Sequence, residues 1–340
     1  MVTKPGAKTI NHMLRFISLI LKGIAMGAAN VIPGVSGGTI ALITNIYEDF
    51  INALKSCNRT AIKLLLTGQF KEFSNHVNLQ FLAAILLGVV ISIFSIAKLF
   101  EFLLEKHPAQ IWAFFFGLVL ASVYYIGKTV SNWNYKNIFT LLIGTAFALA
   151  ISFLNPAPVE NTNYLFIFIC GVIGICGMIL PGLSGSYILM LMGNYQLLMV
   201  TSINSLFDFF KAISIGDWNV LSSNQEMRNH LIYFVLFLFG SIIGIIAFSH
   251  FIGWIFKRFH EATLALLTGF VFGSLSIIWP WKKELFHSDL FDRNGEPLLI
   301  GYQRYLPEII TSSDVWVIAC MLLGIASIIL IEFLANKSKV

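Results

Sequence analysis

The 340-residue chain is 57% hydrophobic and only 11% charged, more apolar surface than a soluble domain of this size can hide, so it belongs in a lipid bilayer. Its net charge of +5 is scattered through the polar joints between apolar runs. With no soluble basic face to carry it, that charge excludes nucleic acid as a partner.

A helix needs about 20 apolar residues to cross a bilayer. By that measure the apolar segments are, in order, 14–32, 35–54, 79–104, 109–126, 138–154, 164–180, 183–205, 231–256, 261–279 and 315–334. Barrel-type alternation is absent, so the expected fold class is an all-α polytopic membrane protein. The basic residues ahead of 14–32 resemble a signal peptide, but the same segment recurs inside the chain, where no signal peptide could stand. Cys57, Cys170, Cys176 and Cys320 show neither metal-ligand spacing nor a disulfide framework.

The first segment ends in "NVIPGVSGGTIAL" (30–42), a polar, glycine-rich break in an otherwise continuous apolar run. "MILPGLSGSYILM" (178–190) repeats it 148 residues later. The same offset pairs Gly23 with Gly171, Pro33-Gly34 with Pro181-Gly182, Ser36-Gly37 with Ser184-Gly185, and Tyr47 with Tyr195. An offset of 152 pairs Gly88 with Gly240 and Gly117 with Gly269, and one of 180 pairs Gly144 with Gly324. The jump from 152 to 180 marks an insertion at about 282–314, read either as an amphipathic flap on the outer surface or as a passive loop. The chain therefore divides into residues 1–154 and 155–340, two copies of five segments each. An odd count predicts an inverted-topology repeat.

With the N- and C-termini placed in the cytoplasm, fourteen Lys and Arg residues fall inside and seven outside, with Lys98 left in a segment. Charge does not distinguish two full spans from a re-entrant hairpin at 14–54 or 164–205, since both return the chain to the same side. Proline removes a donor and turns its predecessor away from helical geometry, so the helices should stop near Ile32 and Leu180. Ser36 and Ser184 are then N-caps of the helices that follow. A break part-way into the bilayer predicts a re-entrant hairpin in each half, sheltered by protein.

Two half-helix N-termini converging inside a membrane make an anion site, phosphate being the obvious candidate. Its expected lining is Gly34, Ser36, Gly37, Gly38 and Thr39 from the first break, with Gly182, Ser184, Gly185 and Ser186 from the second. The backbone N–H groups of 34–39 are expected to have no partners within a helix. Pairs of glycines four apart, Gly23–Gly27, Gly240–Gly244 and Gly269–Gly273, read as helix packing. Lys98 and its repeat counterpart His250 are ionisable groups inside segments, hence functional candidates. Lys98 could equally snorkel outward and pair with Glu101. His107 and His260 read as interfacial caps.

The stretches "GAANVIPGVSGGTIALITNIYEDFI" (27–51) and "GMILPGLSGSYILMLMGNYQLLM" (177–199) resemble the domain-of-unknown-function-368 family, proposed as polyprenyl-phosphate transporters, and the likeness extends over nearly the whole chain. The resemblance implies a bacterial plasma-membrane protein that returns undecaprenyl phosphate across the bilayer, with the paired motifs contacting the head group. Asn30 and Gln196 stand where that family often carries acidic residues. Glu48 keeps the acidic position after the first motif, where it would bind a coupling ion or gate the cytoplasmic mouth. No cofactor is implied, while coupling to a proton or sodium gradient stays open; the partners are the polyprenyl-phosphate lipid and the surrounding membrane lipids. Two alternatives remain: a transporter or channel for a small soluble anion, and an intramembrane lipid phosphatase or protease. The last would need a base or metal near its nucleophile, and neither Ser36 nor Ser184 has a His or Lys close in sequence.

Overall fold

A computed structural model describes residues 5–31, 36–95, 103, 106–154, 160–217, 220–291, 297–308 and 311–337. The first break is thus described from Ser36 onward, and Pro33 and Gly34 lie outside the described residues, as do Lys98 and Glu101. The protein is a polytopic α-helical membrane protein, and among the described residues six helices are long and apolar enough to cross a bilayer.

The first half opens with α1 (Pro5–Val31), followed by the short helices α2 (Gly37–Ile43), α3 (Tyr47–Lys55), α4 (Arg59–Leu66) and α5 (Phe70–His76). Then come α6 (Leu79–Ser95), α7 (Pro108–Thr129) and α8 (Tyr135–Ser152). The second half opens with α9 (Tyr164–Ile179) and α10 (Gly185–Leu191). A π-helical turn, Gln196–Thr201, leads into α11 (Ser202–Ser214), and α12 (Val220–Ser223), α13 (Gln225–Arg258) and α14 (His260–Ser274) follow. After α14 the chain forms an antiparallel hairpin of β1 (Lys282–Phe291) and β2 (Pro297–Arg304), and α15 (Ser312–Lys337) closes it.

Three details depart from the sequence reading. The insertion, read as a flap or a loop with no secondary structure assigned, forms a β-hairpin, with Lys282 opposite Arg304 and Glu284 opposite Tyr302. The segments 35–54 and 183–205 are each broken a second time, at Asn45 (φ 55°) and Gly193 (φ 76°), left-handed residues that stop α2 and α10 after seven residues. These two positions again lie 148 apart. A seven-residue helix is about 10 Å long, a third of the hydrocarbon thickness, so α2 and α10 cannot span by themselves. The fourth segment of the second half stops its helix at Ser274, short of 279.

Four long helix pairs hold the bundle: α1 with α6, α9 with α13, α7 with α15, and α8 with α14. Each is built the same way, glycine against the partner's backbone. A methyl group on Gly23 would strike the Ile85 carbonyl, and one on Gly88 the Ile20 carbonyl. Gly171 and Gly240 stand in the same relation to Phe237 and Phe168, Gly117 and Gly324 to Met321 and Phe114, Gly144 and Gly269 to Leu266 and Leu141. Lipid gives helices no hydrophobic reason to associate, so close backbone contact of this kind supplies the packing. The first two pairs lie within a half. The last two join one half to the other.

A methyl at Gly117 has no room beside the Met321 backbone, whereas at Gly127 the nearest atom is 3.7 Å away, on the Trp133 ring. Gly117→Ala is therefore expected to lower the thermal midpoint of the purified protein, by an overpacking cost of about 1–3 kcal/mol. Gly127→Ala, in the last turns of the same helix, should leave the midpoint unchanged or raise it slightly.

Candidate functional site

The two breaks meet in the interior. Ser36, 1% exposed, caps α2: its hydroxyl oxygen accepts from the Gly38 N–H at 3.1 Å and its proton goes to the Met178 carbonyl, 2.9 Å away on α9. Thr39, also 1% exposed, accepts the Gly182 N–H at 2.8 Å. Gly182 has φ +81° and its α-carbon faces the Phe270 backbone, so any side chain there is excluded twice over. The Gly37 N–H is taken by the Asn30 side-chain oxygen at 2.7 Å. Gly38 lies so close to the Ile179 carbonyl that a methyl group would not fit.

Gly37, Gly38 and Gly182 each find an acceptor outside the helical ladder, in the Asn30, Ser36 and Thr39 side chains, as a buried N–H requires. The first motif thus serves the second: Thr39 holds the Gly182 N–H and Ser36 the Met178 carbonyl. The second half-helix differs in detail, since Ser184 makes no side-chain cap and instead shares a 2.7 Å hydrogen bond with Ser186. Gly185 packs on Gly174. Ser36, Gly37, Gly38, Thr39, Gly182, Ser184, Gly185, Ser186 and Asn30 are therefore brought into one buried cluster or its immediate surroundings. His250 is not: it lies on α13, its Nδ1 2.8 Å from its own helix's Ile246 carbonyl.

Beside the second break an apolar groove of about 370 Å³ runs between the end of α8, the end of α9 and α10, lined by Phe147, Ile151, Ile173, Leu180, Leu183 and Ile188 among others. Its walls are almost wholly hydrocarbon.

Glu48 stands elsewhere, at the end of the bundle where α7 finishes and α14 begins. Its carboxylate is 2.9 Å from His260 Nε2, and His260 Nδ1 lies 3.4 Å from Glu261. This pairing, missed in the sequence because the two residues are 212 apart, raises the His260 pKa above 6.5, chiefly through the hydrogen bond to Glu48. Glu48 and His260 line two adjoining cavities, one of about 250 Å³ that reaches Leu42 and Ile43 on α2 and includes Tyr47 and Tyr125. The Tyr47 hydroxyl is buried and has no hydrogen-bond partner among the described residues. Lys22 of α1 caps the carbonyl of Thr44 at 2.8 Å, supporting the C-terminal end of α2.

At the opposite end the β-hairpin is tied to the bundle. The Lys282 ammonium lies 3.3 Å from the centre of the Trp112 ring, and Trp281 donates to Asp314 at 2.8 Å. Arg304 donates from Nε to the Ser276 carbonyl at 2.6 Å and from an Nη to the Ser152 carbonyl at 3.0 Å. No spacing or motif singled out Arg304, because it sits in the segment that has no counterpart in the first half.

Comparison with known proteins agrees with the motifs. The VCA0040-like family model, described as undecaprenyl phosphate translocase-like, matches residues 26–294. The chain is similar to a polyprenyl-phosphate transporter of Vibrio cholerae serotype O1, 36% identical over 338 residues, which is 98% of this chain and all of the relative. It is also similar to a polyprenyl-phosphate transporter of Staphylococcus aureus, 30% identical over 275 residues, 77% of this chain and 85% of that one. No solved structure matches. Matched through both breaks and most of the helices around them, the chain belongs to the VCA0040-like, undecaprenyl phosphate translocase-like family.

Proposed function

We propose that this protein carries a polyprenyl-phosphate lipid, undecaprenyl phosphate or a close relative, across a bacterial plasma membrane. The observation that carries the reading is the buried meeting of two Pro-Gly-x-Ser-Gly breaks beside an apolar groove. The names of the Vibrio and Staphylococcus relatives point the same way. The two halves form an inverted repeat with a re-entrant hairpin in each. The glycine pairs support this: the offsets 148 and 152 carry Gly23–Gly88 onto Gly171–Gly240, and 152 and 180 carry Gly117–Gly324 onto Gly269–Gly144. The termini and the Glu48 end face the cytoplasm, a reading that the excess of Lys and Arg assigned to that side supports.

The conformation described is the closed one. The N–H groups of Gly37, Gly38 and Gly182 hold protein acceptors, and a phosphate takes their place when the breaks separate. Its oxygens accept from those groups and from Ser36, Thr39, Ser184 and Ser186, with Gly185 giving the close backbone approach. The isoprenoid chain stays in hydrocarbon, in the groove and the lipid next to it. A small soluble anion would use the same donors but has no need of a 370 Å³ apolar wall. Glu48 with His260 gates the cytoplasmic mouth, and Asn30 holds α2 in register through Gly37.

Leaflet exchange of undecaprenyl phosphate in liposomes tests the reading directly. Ser36→Leu with Ser184→Leu should bring exchange down to that of protein-free liposomes. Wild-type protein that moves no lipid under any imposed proton or sodium gradient, yet passes inorganic phosphate or chloride, would overturn it. Thr39→Val leaves the Gly182 N–H without an acceptor, at a cost of about 1–3 kcal/mol to the closed state, and should change the exchange rate at least several-fold.

The mouth pair has its own signature. A raised His260 pKa means the charged pair is fully formed below pH 6.5 and is lost as pH rises through the folded-state value. The pair is about half exposed, so its worth is below about 1 kcal/mol. Between pH 6 and pH 9 the thermal midpoint of wild type should fall slightly more than that of Glu48→Gln. Equal slopes would remove the pair from the mechanism.

A further inference from the structure

We propose that Arg304, on the β-hairpin, is the head-group seat of an outer station for the lipid phosphate, whose hydrocarbon lies in the groove between α8, α9 and α10. The inference rests on the lipid-phosphate reading above and adds to it a binding residue outside both motifs.

Arg304 is a half-buried cation with no carboxylate at ion-pair distance among the described residues. Two of its five N–H donors are spent, one on the Ser276 carbonyl and one on the Ser152 carbonyl at the end of α8. The guanidinium also stacks 4.9 Å from the centre of the Phe153 ring. These contacts fix its position and, among the described residues, leave three donors and the charge without an anion. A partly buried cation held only by carbonyls keeps its charge available to an anionic ligand. Arginine presents its donors as a planar fork suited to phosphate oxygens.

The position of the fork relative to the groove specifies the ligand. Ile151 and Ile188 line the groove, and the next residue on α8 and the preceding residue on α10 are Ser152 and Tyr187. Ser152 accepts from Arg304, and the Tyr187 hydroxyl lies 3.5 Å from that same Ser152 carbonyl. Arg304 does not line the trough itself, but through Ser152 and Tyr187 it is held one residue along the chain from Ile151 and Ile188, at the hairpin end of a trough that continues to Leu180 and Leu183 of the second break. An anionic head on a long hydrocarbon tail matches both parts. A free anion would use only the first, and an uncharged prenol only the second.

The hairpin is braced for such a task. Tyr305 N–H donates to the Trp281 carbonyl at 2.9 Å and the Trp279 indole to the Tyr305 carbonyl at 3.0 Å, so the strand end that carries Arg304 is held from both sides. Handing the phosphate onward requires exchanging the Arg304 fork for the half-helix donors around Ser184 and Gly182. The apolar tail keeps the lipid in the same groove meanwhile.

The test is binding to the purified full-length protein, with farnesyl phosphate, farnesol and inorganic phosphate as probes, alongside leaflet exchange of undecaprenyl phosphate. Arg304→Gln should weaken farnesyl phosphate about tenfold, the loss of one or two charge-assisted bonds, and leave farnesol unchanged. Arg304→Lys should fall between, since it keeps the charge and loses the fork. Ile173→Trp, at a groove position 41% exposed, should weaken farnesyl phosphate and farnesol alike. Exchange and farnesyl phosphate binding that are both unchanged in Arg304→Gln would discard the station and leave the transport reading standing. An equal loss of farnesol and farnesyl phosphate in that variant would make Arg304 a brace only. Inorganic phosphate competing as well as farnesyl phosphate would overturn the amphiphile seat. Wild type that neither binds farnesyl phosphate nor exchanges lipid would end the station and the transport reading together.

Discussion

A backbone polar group inside a bilayer must find its partner within the protein, and this structure is organised around a place where two helices decline to provide it. The breaks before α2 and α10 free N–H and C=O groups in the buried interior, where Ser36, Thr39 and Ser184 are at most 5% exposed. Two contacts cross between the breaks: Thr39 takes the Gly182 N–H, and the Met178 carbonyl takes the Ser36 hydroxyl, while Gly37 and Gly38 are served by Asn30 and Ser36 of their own segment. The second break therefore relies on the first for the partner of Gly182, and that requirement fixes how the two segments sit against each other.

The glycine seams follow from that requirement. Bringing α2 against the end of α9 demands that the helices behind them stand closely enough to leave no lipid between the breaks. Two seams, at Gly23–Gly88 and Gly171–Gly240, hold each hairpin against its own half. The other two, Gly117–Gly324 and Gly144–Gly269, exchange partners between halves. Separating the halves would therefore open two long backbone-to-backbone contacts. The proposed opening would then fall to the short α2 and α10, each bounded by a break on both sides.

The sequence made the breaks, their pairing by a fixed offset and the N-capping role of Ser36 legible, because each is local chemistry: proline, glycine and a hydroxyl at set spacing. The seams were legible as spacing but not as partners. What stayed hidden was relational. That Thr39 serves Gly182, or Glu48 serves His260, depends on approaches across 143 and 212 residues that no periodicity encodes. The β-hairpin was hidden for another reason: the strand propensity of "LLIGYQRY" is weak beside the apolar bias of the whole chain, and an insertion has no copy to align with. Arg304 inherited that invisibility, while Lys98 drew attention by lying in an apolar run.

The choice of neutral groups for the lock is itself informative. A hydrogen bond between uncharged partners is worth about 0.5–1.5 kcal/mol net, so the Ser36, Thr39 and Asn30 contacts together hold the breaks closed by only a few kcal/mol. A buried ion pair there would cost several kcal/mol more to break and would compete directly with a phosphate for the same donors. Hydroxyl and amide oxygens would compete weakly with the phosphate proposed to bind here, because a charged phosphate is the stronger acceptor of an N–H. Among the described residues, the Arg304 charge stands at one end and the Glu48–His260 pair at the other, while the groups that join the breaks are neutral. A neutral lock of that kind suits the proposed cycle, in which the breaks close again behind the lipid.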